Sequence, residues 1–387
     1  MILVVNAGSS SIKVALFDER LETLATGAVT EIGGKATLKL GETERGCDAP
    51  DHRTALSLLL AGQEEAGFPV ARLGAAGHRV VHGGRNLTAP VRLDDDVLVT
   101  IEACNPLAPL HNPHNLSAIR ALRQLAPELP QFACFDTAFH ATNPEVAQRY
   151  ALPADQEAKG IRRYGFHGIS FESLTARLPR LLGTRLPERV LAFHLGNGAS
   201  LCAIREGRSV ATTMGYSPLD GLTMGTRTGA IDGNAVLRIA EDHGIDGAAR
   251  ILNRESGLLG LGGASDMRAL HAADTDEARF AIRHFCYWAI RHAGSMIAAM
   301  GGLDCVAFTG GIGENDTEVR ARICDGLAFM GVAIDAGANR RGAGRLDAPE
   351  RRLIRFDGQR PIPVLVVPAE EERHIAAAVR ARLGKPK

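Results

Sequence analysis

The stretch Ile2-Leu3-Val4-Val5-Asn6-Ala7-Gly8-Ser9-Ser10-Ser11-Ile12-Lys13-Val14-Ala15-Leu16-Phe17 decides the fold class. An apolar run, a Gly/Ser turn and a second apolar run predict a β-hairpin. The pattern returns at Val190-Leu191-Ala192-Phe193-His194, Leu195-Gly196-Asn197-Gly198-Ala199-Ser200 and Leu201-Cys202-Ala203-Ile204. Aligning Gly8 with Gly196 brings strand, turn and strand into register. This weak internal repeat predicts two domains of similar build, each opening with a turn of a size that suits phosphate.

Working outward, helical and strand patterns alternate. Leu116–Leu125 carries apolar residues at 116, 119, 122 and 125 and predicts a helix; Gln131–Phe135 predicts a short buried strand. Asp276–Met300 predicts a long helix, with Ala281, Phe285, Trp288, Ala289 and His292 at helical spacing. Phe280, Ile282 and Ile290 widen its apolar face, so burial over much of its surface is expected, against the sheet or a partner subunit. Cys305–Thr309 predicts a strand running into a third glycine turn, Gly310-Gly311-Ile312-Gly313-Glu314-Asn315. Val364–Val367 predicts a last strand and Glu370–Leu383 a last helix. The alternation is that of an α/β protein, with ligands expected where glycine turns follow strands.

At 387 residues the chain is long enough for two domains. Its 44 basic and 44 acidic residues cancel, which argues against nucleic-acid binding through bulk charge. The N-terminal run lacks the basic and long apolar regions of a secretory signal, and no apolar run approaches a membrane span. The seven cysteines lie more than four residues apart, which excludes a CxxC zinc or redox site and leaves buried, reduced thiols as the expectation.

The residues that carry chemistry sit at strand ends and in glycine loops. The Asn6–Ser11 turn offers backbone N–H groups and three hydroxyls, with Lys13 just beyond, and can cradle phosphate oxygens; no Walker loop occurs. Arg79 lies inside the apolar run around His78-Arg79-Val80-Val81-His82-Gly83-Gly84, where a cation needs an anionic partner, and Val81, two positions on in the same β-run, is expected on the same face. Arg227, in Thr226-Arg227-Thr228-Gly229, is a second such group, and two guanidinium forks suit a carboxylate plus a phosphoryl group. Asp136 ends the strand Gln131–Phe135, which suits metal or positioning work or a helix N-cap. His167 lies in a tight Tyr164-Gly165-Phe166-His167-Gly168 loop, and Glu370-Glu371-Glu372 opens the last helix.

Together these strings resemble the acetate kinase (acetokinase) family over almost the whole chain. The resemblance rests on Asn6–Lys13, Leu107-Ala108-Pro109-Leu110-His111-Asn112-Pro113, Tyr164–Gly168, Met224-Gly225-Thr226-Arg227-Thr228-Gly229 and Phe308–Asn315, in the family's order. It implies a two-domain actin-like ATPase (ribonuclease H-like) fold with duplicated domains and the nucleotide in the cleft between them. The implied domains are 1–137, completed by about 373–387, and 138–372. It also implies reversible, Mg²⁺- or Mn²⁺-dependent transfer of the ATP γ-phosphoryl to acetate, giving acetyl phosphate and ADP, in a cytoplasmic homodimer without nucleic-acid or membrane partners. Carried over, Asn6 and Glu371 would serve the metal, and Ser10, Ser11 and Lys13 the phosphates. Arg79 and Arg227 would hold the carboxylate and the phosphoryl, Asp136 would fix the arginines, and His167 and His111 would donate to the phosphoryl. Val81, Leu110, Phe166 and Pro218 would enclose the methyl group. His194, Asn197, Gly198, Asp266, Met267, Arg268, Gly311, Ile312 and Asn315 would hold the nucleotide.

The chemistry fits this set. An ionised carboxylate needs no general base, which agrees with the lack of a nucleophile–base dyad, and the catalytic need is positive charge and positioning. The sequence departs from the family at Ala369, where Asn usually precedes the glutamates, at Gly233 for Pro and at Ile169 for Thr. A propionate or other short-chain acyl kinase is the nearest alternative reading. A butyrate kinase, a chaperone-like or other non-acyl actin-fold ATPase and a sugar-kinase-like regulator are more distant ones.

Overall fold

A computed structural model describes residues 1–341, 351–353 and 362–384. The chain divides into two units, Met1–Phe139 with Glu370–Lys387, and His140–Ala369. Glu370, Glu371 and Glu372 therefore belong with the N-terminal unit.

Both expected hairpins form. In the first unit Ile2–Ala7 pairs antiparallel with Ile12–Phe17, which pairs with Thr23–Thr30. On its other side Ile2–Ala7 pairs parallel with Ala75–Val80, and that strand with Gln131–Phe135. In the second unit Arg189–Leu195, Ala199–Arg205 and Arg208–Thr212 form the same antiparallel meander. Cys305–Thr309 and Val364–Val366 then follow in parallel. The spatial order third-second-first-fourth-fifth thus occurs twice, and the duplication inferred from two short motifs extends over five strands. Short strands extend the edges of both sheets.

Strand alternation sorts the first sheet into two faces. Leu3, Val5, Ile12, Val14, Leu16 and Ala76 point into one core, against the helices His52–Glu65 and Asn112–Leu125. The other face meets the last helix, Glu371–Leu383: a Cβ on Gly77 would lie 2.7 Å from Ile375 and 2.8 Å from Val379. Glycine at 77 lets that helix lie directly on the strand.

Several local expectations need correction. Gly310–Asn315 is a short helix, not a loop; Gly310, at φ +80°, makes the turn and the helix starts at once. The strand bearing Arg79 ends at Val80, so Val81 does not share a strand face with Arg79 by alternation; its N–H instead donates to Asn115 Oδ1 at 3.0 Å. The helix expected at Leu116–Leu125 begins at Asn112, because Pro113 suits a first turn that needs no N–H. The long helix Asp276–Met300 has the expected limits, set by the Thr275 cap and by Gly301 at φ +74°. It buries one face only, leaving Phe280 48% and Tyr287 62% exposed.

Candidate active site

The first unit gathers its candidates by register. Asn6 and Lys13 are directly paired across the hairpin, and Val5 pairs with His78, which sets Arg79 beside Asn6. Arg79 in turn pairs with Cys134, and Asp136 lies two residues further along. Lys13, Asn6, Arg79 and Asp136 therefore lie in a row across four adjacent strands, on the face that meets the last helix. Glu371 precedes Ile375 and Val379 by one and two helical turns, so the same helix side that packs on Gly77 carries Glu371 toward Arg79.

The contacts follow this geometry. Arg79 donates to Asp136 from Nη2 at 2.6 Å and from Nε at 3.1 and 3.2 Å, and from Nη1 to Asn6 Oδ1 at 3.4 Å. Glu371 Oε2 lies 3.9 Å from Arg79 Nε. Asp136 is only 2% exposed, so its carboxylate works as a fixed anchor for the guanidinium. Burial alone would lower the Arg79 pKa, but Asp136 and Glu371 outweigh it and push it up. Burial, reinforced by Glu372, raises the Glu371 carboxyl above its ordinary value, although Arg79 and Lys13 oppose this.

This donor set suits a magnesium ion. Asn6 and Glu371 offer hard oxygens, and magnesium takes one or two carboxylates and otherwise keeps water and substrate phosphates. Among the described residues there is no cluster of three or more His, Cys, Asp or Glu that would form an all-protein cage. A cation at Glu371 would also offset the electrostatic cost that raises its pKa.

The second unit gathers another set around its own hairpin. His167, at φ +59°, precedes the helix Gly168–Leu182. Its ring stacks on His194 with centroids 4.1 Å apart. His167 Nδ1 lies 2.9 Å from Ser200 Oγ, and His194 Nδ1 lies 2.8 Å from Ser170 Oγ. His194 and Ser200 are cross-strand partners, and Ser170 lies on the helix that His167 precedes, so each ring is anchored from the other's element. A Cβ on Gly198 would lie 3.1 Å from His167 Nε2 and 3.6 Å from Arg227 Nη1, so glycine there leaves room for both. Arg227 Nη1 donates to the Pro218 carbonyl at 3.1 Å. Asn197 reaches Gly225, whose N–H donates to the Asn197 carbonyl at 3.0 Å. Gly311 has open space where a Cβ would stand, and its N lies 3.9 Å from such an atom on Gly196.

Other expected groups make local contacts. Asp266 caps the helix Met267–Ala273 and pairs with Arg268 at 2.6 Å, while Met267 is buried. Asn315 donates to the Gly311 carbonyl at 2.9 Å. His111 opens the helix Asn112–Leu125. Ser10 is exposed and Ser11 half-buried in the first turn. Val81 and Phe166 are buried, Leu110 is 42% exposed.

Sequence reasoning missed the groups that hold these elements. Asn112 brackets His82 with two 3.0 Å bonds, and Asn115 bonds both Val81 N–H and the Ala7 carbonyl. Glu314 accepts from Gly310 N–H at 3.0 Å and from Ala369 N–H at 2.9 Å. His140 donates to the Phe166 carbonyl at 2.9 Å, and burial holds it neutral with a pKa of about 4. Only the Pro-Leu-His-Asn-Pro string hinted at Asn112.

A duplicated five-strand unit with basic groups and glycine turns at its strand ends defines an ATPase of the actin-like fold. The chain belongs to the acetokinase family, whose model matches residues 1–377. It is therefore a phosphotransferase that acts on a carboxyl group, from a family that uses ATP and a divalent cation. The chain is 45% identical to an acetate kinase of Rhodopseudomonas palustris, covering 98% of this chain and 97% of the relative. It is 43% identical to an acetate kinase of Methylocella silvestris, covering 99% and 98%. The crystal structure of Porphyromonas gingivalis acetate kinase superposes with a TM-score of 0.89 at 36% identity over 99% of both chains. That of a propionate kinase from Francisella tularensis gives 0.90 at 35% identity, covering 97% and 98%.

Proposed function

We propose that this chain transfers the γ-phosphoryl of ATP reversibly to acetate by direct in-line displacement, giving acetyl phosphate and ADP, with Mg²⁺ as the cation. The observation that carries the reading is the row Lys13, Asn6, Arg79 and Asp136, closed by Glu371. It sets a cation and candidate metal-binding oxygens on one sheet face, as repulsion between an ionised acceptor and polyphosphate requires.

In the first unit Arg79, oriented by Asp136, holds an anionic oxygen of the reactants, and Asn6 and Glu371 hold the Mg²⁺. The bound cation supplies charge neutralisation at the phosphates. Ser10, Ser11 and Lys13 meet phosphate oxygens. His111 is a further donor, and Val81 and Leu110 are apolar contacts for the methyl group. In the second unit His167 and Arg227 donate to the transferring phosphoryl, and His194, Asn197, Gly198, Gly311, Ile312 and Asn315 serve the nucleotide with Asp266, Met267 and Arg268. Phe166 and Pro218 are that unit's apolar contacts for the methyl group. The fixed donors lower the barrier by stabilising charge that is already positioned.

A homodimer is part of the proposal, supported by the exposed Phe280 and Tyr287 on one long helix. A cytoplasmic location is proposed on the cysteines: none is in a disulfide, and six of the seven are buried. Among the described residues no helix is long and apolar enough to cross a membrane. Propionate as the preferred acid is the second reading, favoured by the structural likeness to the Francisella enzyme.

Trapping of acyl phosphate with hydroxylamine, in the presence of ATP, Mg²⁺ and each of formate, acetate, propionate and butyrate, tests both readings. The highest kcat/KM is expected for acetate. No acyl hydroxamate with any acid would overturn the proposal, and a propionate optimum would replace acetate as the substrate.

A further inference from the structure

The carbonyl side of the Asn6–Ser11 turn is pinned from within the first unit. His52, first residue of the helix His52–Glu65, lies with Nε2 2.7 Å from the Gly8 carbonyl. A carbonyl only accepts, so Nε2 carries the proton. Asn115 Nδ2 donates to the Ala7 carbonyl at 2.7 Å, Ile32 N–H to the Ser10 carbonyl at 3.0 Å, and Gly8 N–H to the Ser11 carbonyl at 2.7 Å.

In a trans peptide the carbonyl and the following N–H point in opposite directions, and among the described residues no peptide is cis. With the Gly8 carbonyl held by His52, the Ser9 N–H is aimed away from the core. With the Ser10 carbonyl held by Ile32, so is the Ser11 N–H. Backbone amides of one turn that face the same side form an anion-binding concavity. His52 is itself held firmly. It is 8% exposed and stacks on His114 with centroids 5.2 Å apart, and Asp51 caps its helix by accepting from Thr54 N–H at 2.7 Å.

We propose that His52 is a positioning residue of the phosphoryl transfer: its Nε2–H fixes the Gly8 carbonyl so that the amides of the turn face the phosphates of ATP. It acts through the turn and does not touch substrate. This inference rests on the phosphate role proposed above for the turn.

KM does not depend on the fraction of protein that is folded, so it separates positioning from stability. In His52→Leu, which lacks a donor, KM for ATP should rise about fivefold, as expected for one lost hydrogen bond. KM for acetate should change less than about twofold, since the turn meets only the donor. In His52→Gln, whose amide reaches as far as Nε2, KM for ATP should return to within about twofold of the original. His52→Asn, polar but too short, should match His52→Leu and replaces it if that variant does not fold. An unchanged KM for ATP in His52→Leu and His52→Asn, with Lys13→Ala impaired, overturns the role of His52 alone. Equal impairment in His52→Gln and His52→Asn also overturns it, in favour of a packing role. A wild-type KM for ATP in Lys13→Ala overturns the phosphate reading of the turn, and this proposal with it.

Discussion

Asp136 grips Arg79 side-on, through Nε and Nη2, which leaves Nη1 turned toward Asn6. Few orientations of the guanidinium satisfy both neighbours, so the strand end presents one fixed cationic edge. A carboxylate or phosphoryl oxygen meeting that edge costs the side chain little further ordering.

Replacing Arg79 should therefore have two separable effects. Arg79→Ala removes the ion-pair partner of a carboxylate that is 2% exposed, which should cost about 3–5 kcal/mol of stability. It should also lower kcat/KM on the order of 10²–10³-fold, as for loss of one oxyanion donor. Adding Asp136→Asn should recover much of the urea midpoint but none of the activity. A single variant with near-normal kcat/KM would rule out a role for Arg79 in the reaction.

Glu371, rather than its neighbours, should govern the metal. Glu370 lies 3.6 Å from Arg373, whereas Glu371 Oε2 lies 3.9 Å from Arg79 Nε. Glu371→Ala should raise the Mg²⁺ concentration for half-maximal activity about tenfold or more, in line with a lost charged ligand. Glu370→Ala and Glu372→Ala should shift it less than about threefold. The largest shift at Glu370 or Glu372 would contradict this register.

Gly198→Ala tests the second cluster without removing a functional group. The added Cβ would stand 3.1 Å from His167 Nε2 and 3.6 Å from Arg227 Nη1. Displacing either donor by a few tenths of an ångström should lower kcat by about 10-fold or more, while the melting temperature moves only a few degrees. Unaltered kcat would separate both side chains from the reaction.

Acid should weaken the fold through three buried histidines. Burial lowers the pKa values of His78, His82 and His140 from 6.5 to about 4. Between those values the unfolded chain binds protons that the folded chain refuses. Stability is therefore full above about pH 6.5 and falls as the pH drops toward 4, by about 1 kcal/mol per pH unit for each group. Urea midpoints at pH 7 and pH 5 should show this, and His78→Gln should reduce the difference by about a third. An equal pH dependence in the variant would remove His78 from the effect.

The hairpins, and the place of Asn6 and Lys13 on either side of the first turn, were legible because strand alternation and a short turn are local properties. The doubled strand order was only hinted at by two motifs, since the pairing of Ala75–Val80 with Ile2–Ala7 joins distant segments. His52 and Asn115 were invisible for the same reason: their bonds to Gly8 and Ala7 span 44 and 108 residues. Val81 was misplaced because apolar character continues past the last paired residue, where Asn115 takes over the backbone bond. The helix at Gly310 was missed because three glycines and an asparagine between 310 and 315 resemble a loop, whereas Glu314 caps its first N–H from within.

The last helix belongs to the unit that begins at Met1, although residues 140–369 intervene. On the ribosome the N-terminal sheet thus emerges with the face around Gly77 still uncovered by Ile375 and Val379, and it waits while 230 further residues are made. During that time Arg79 has Asp136 but lacks Glu371. Glu371 joins the site only after residues 140–369 have been made, so under the metal role proposed for it the order of synthesis would hold back metal binding until the second unit is complete.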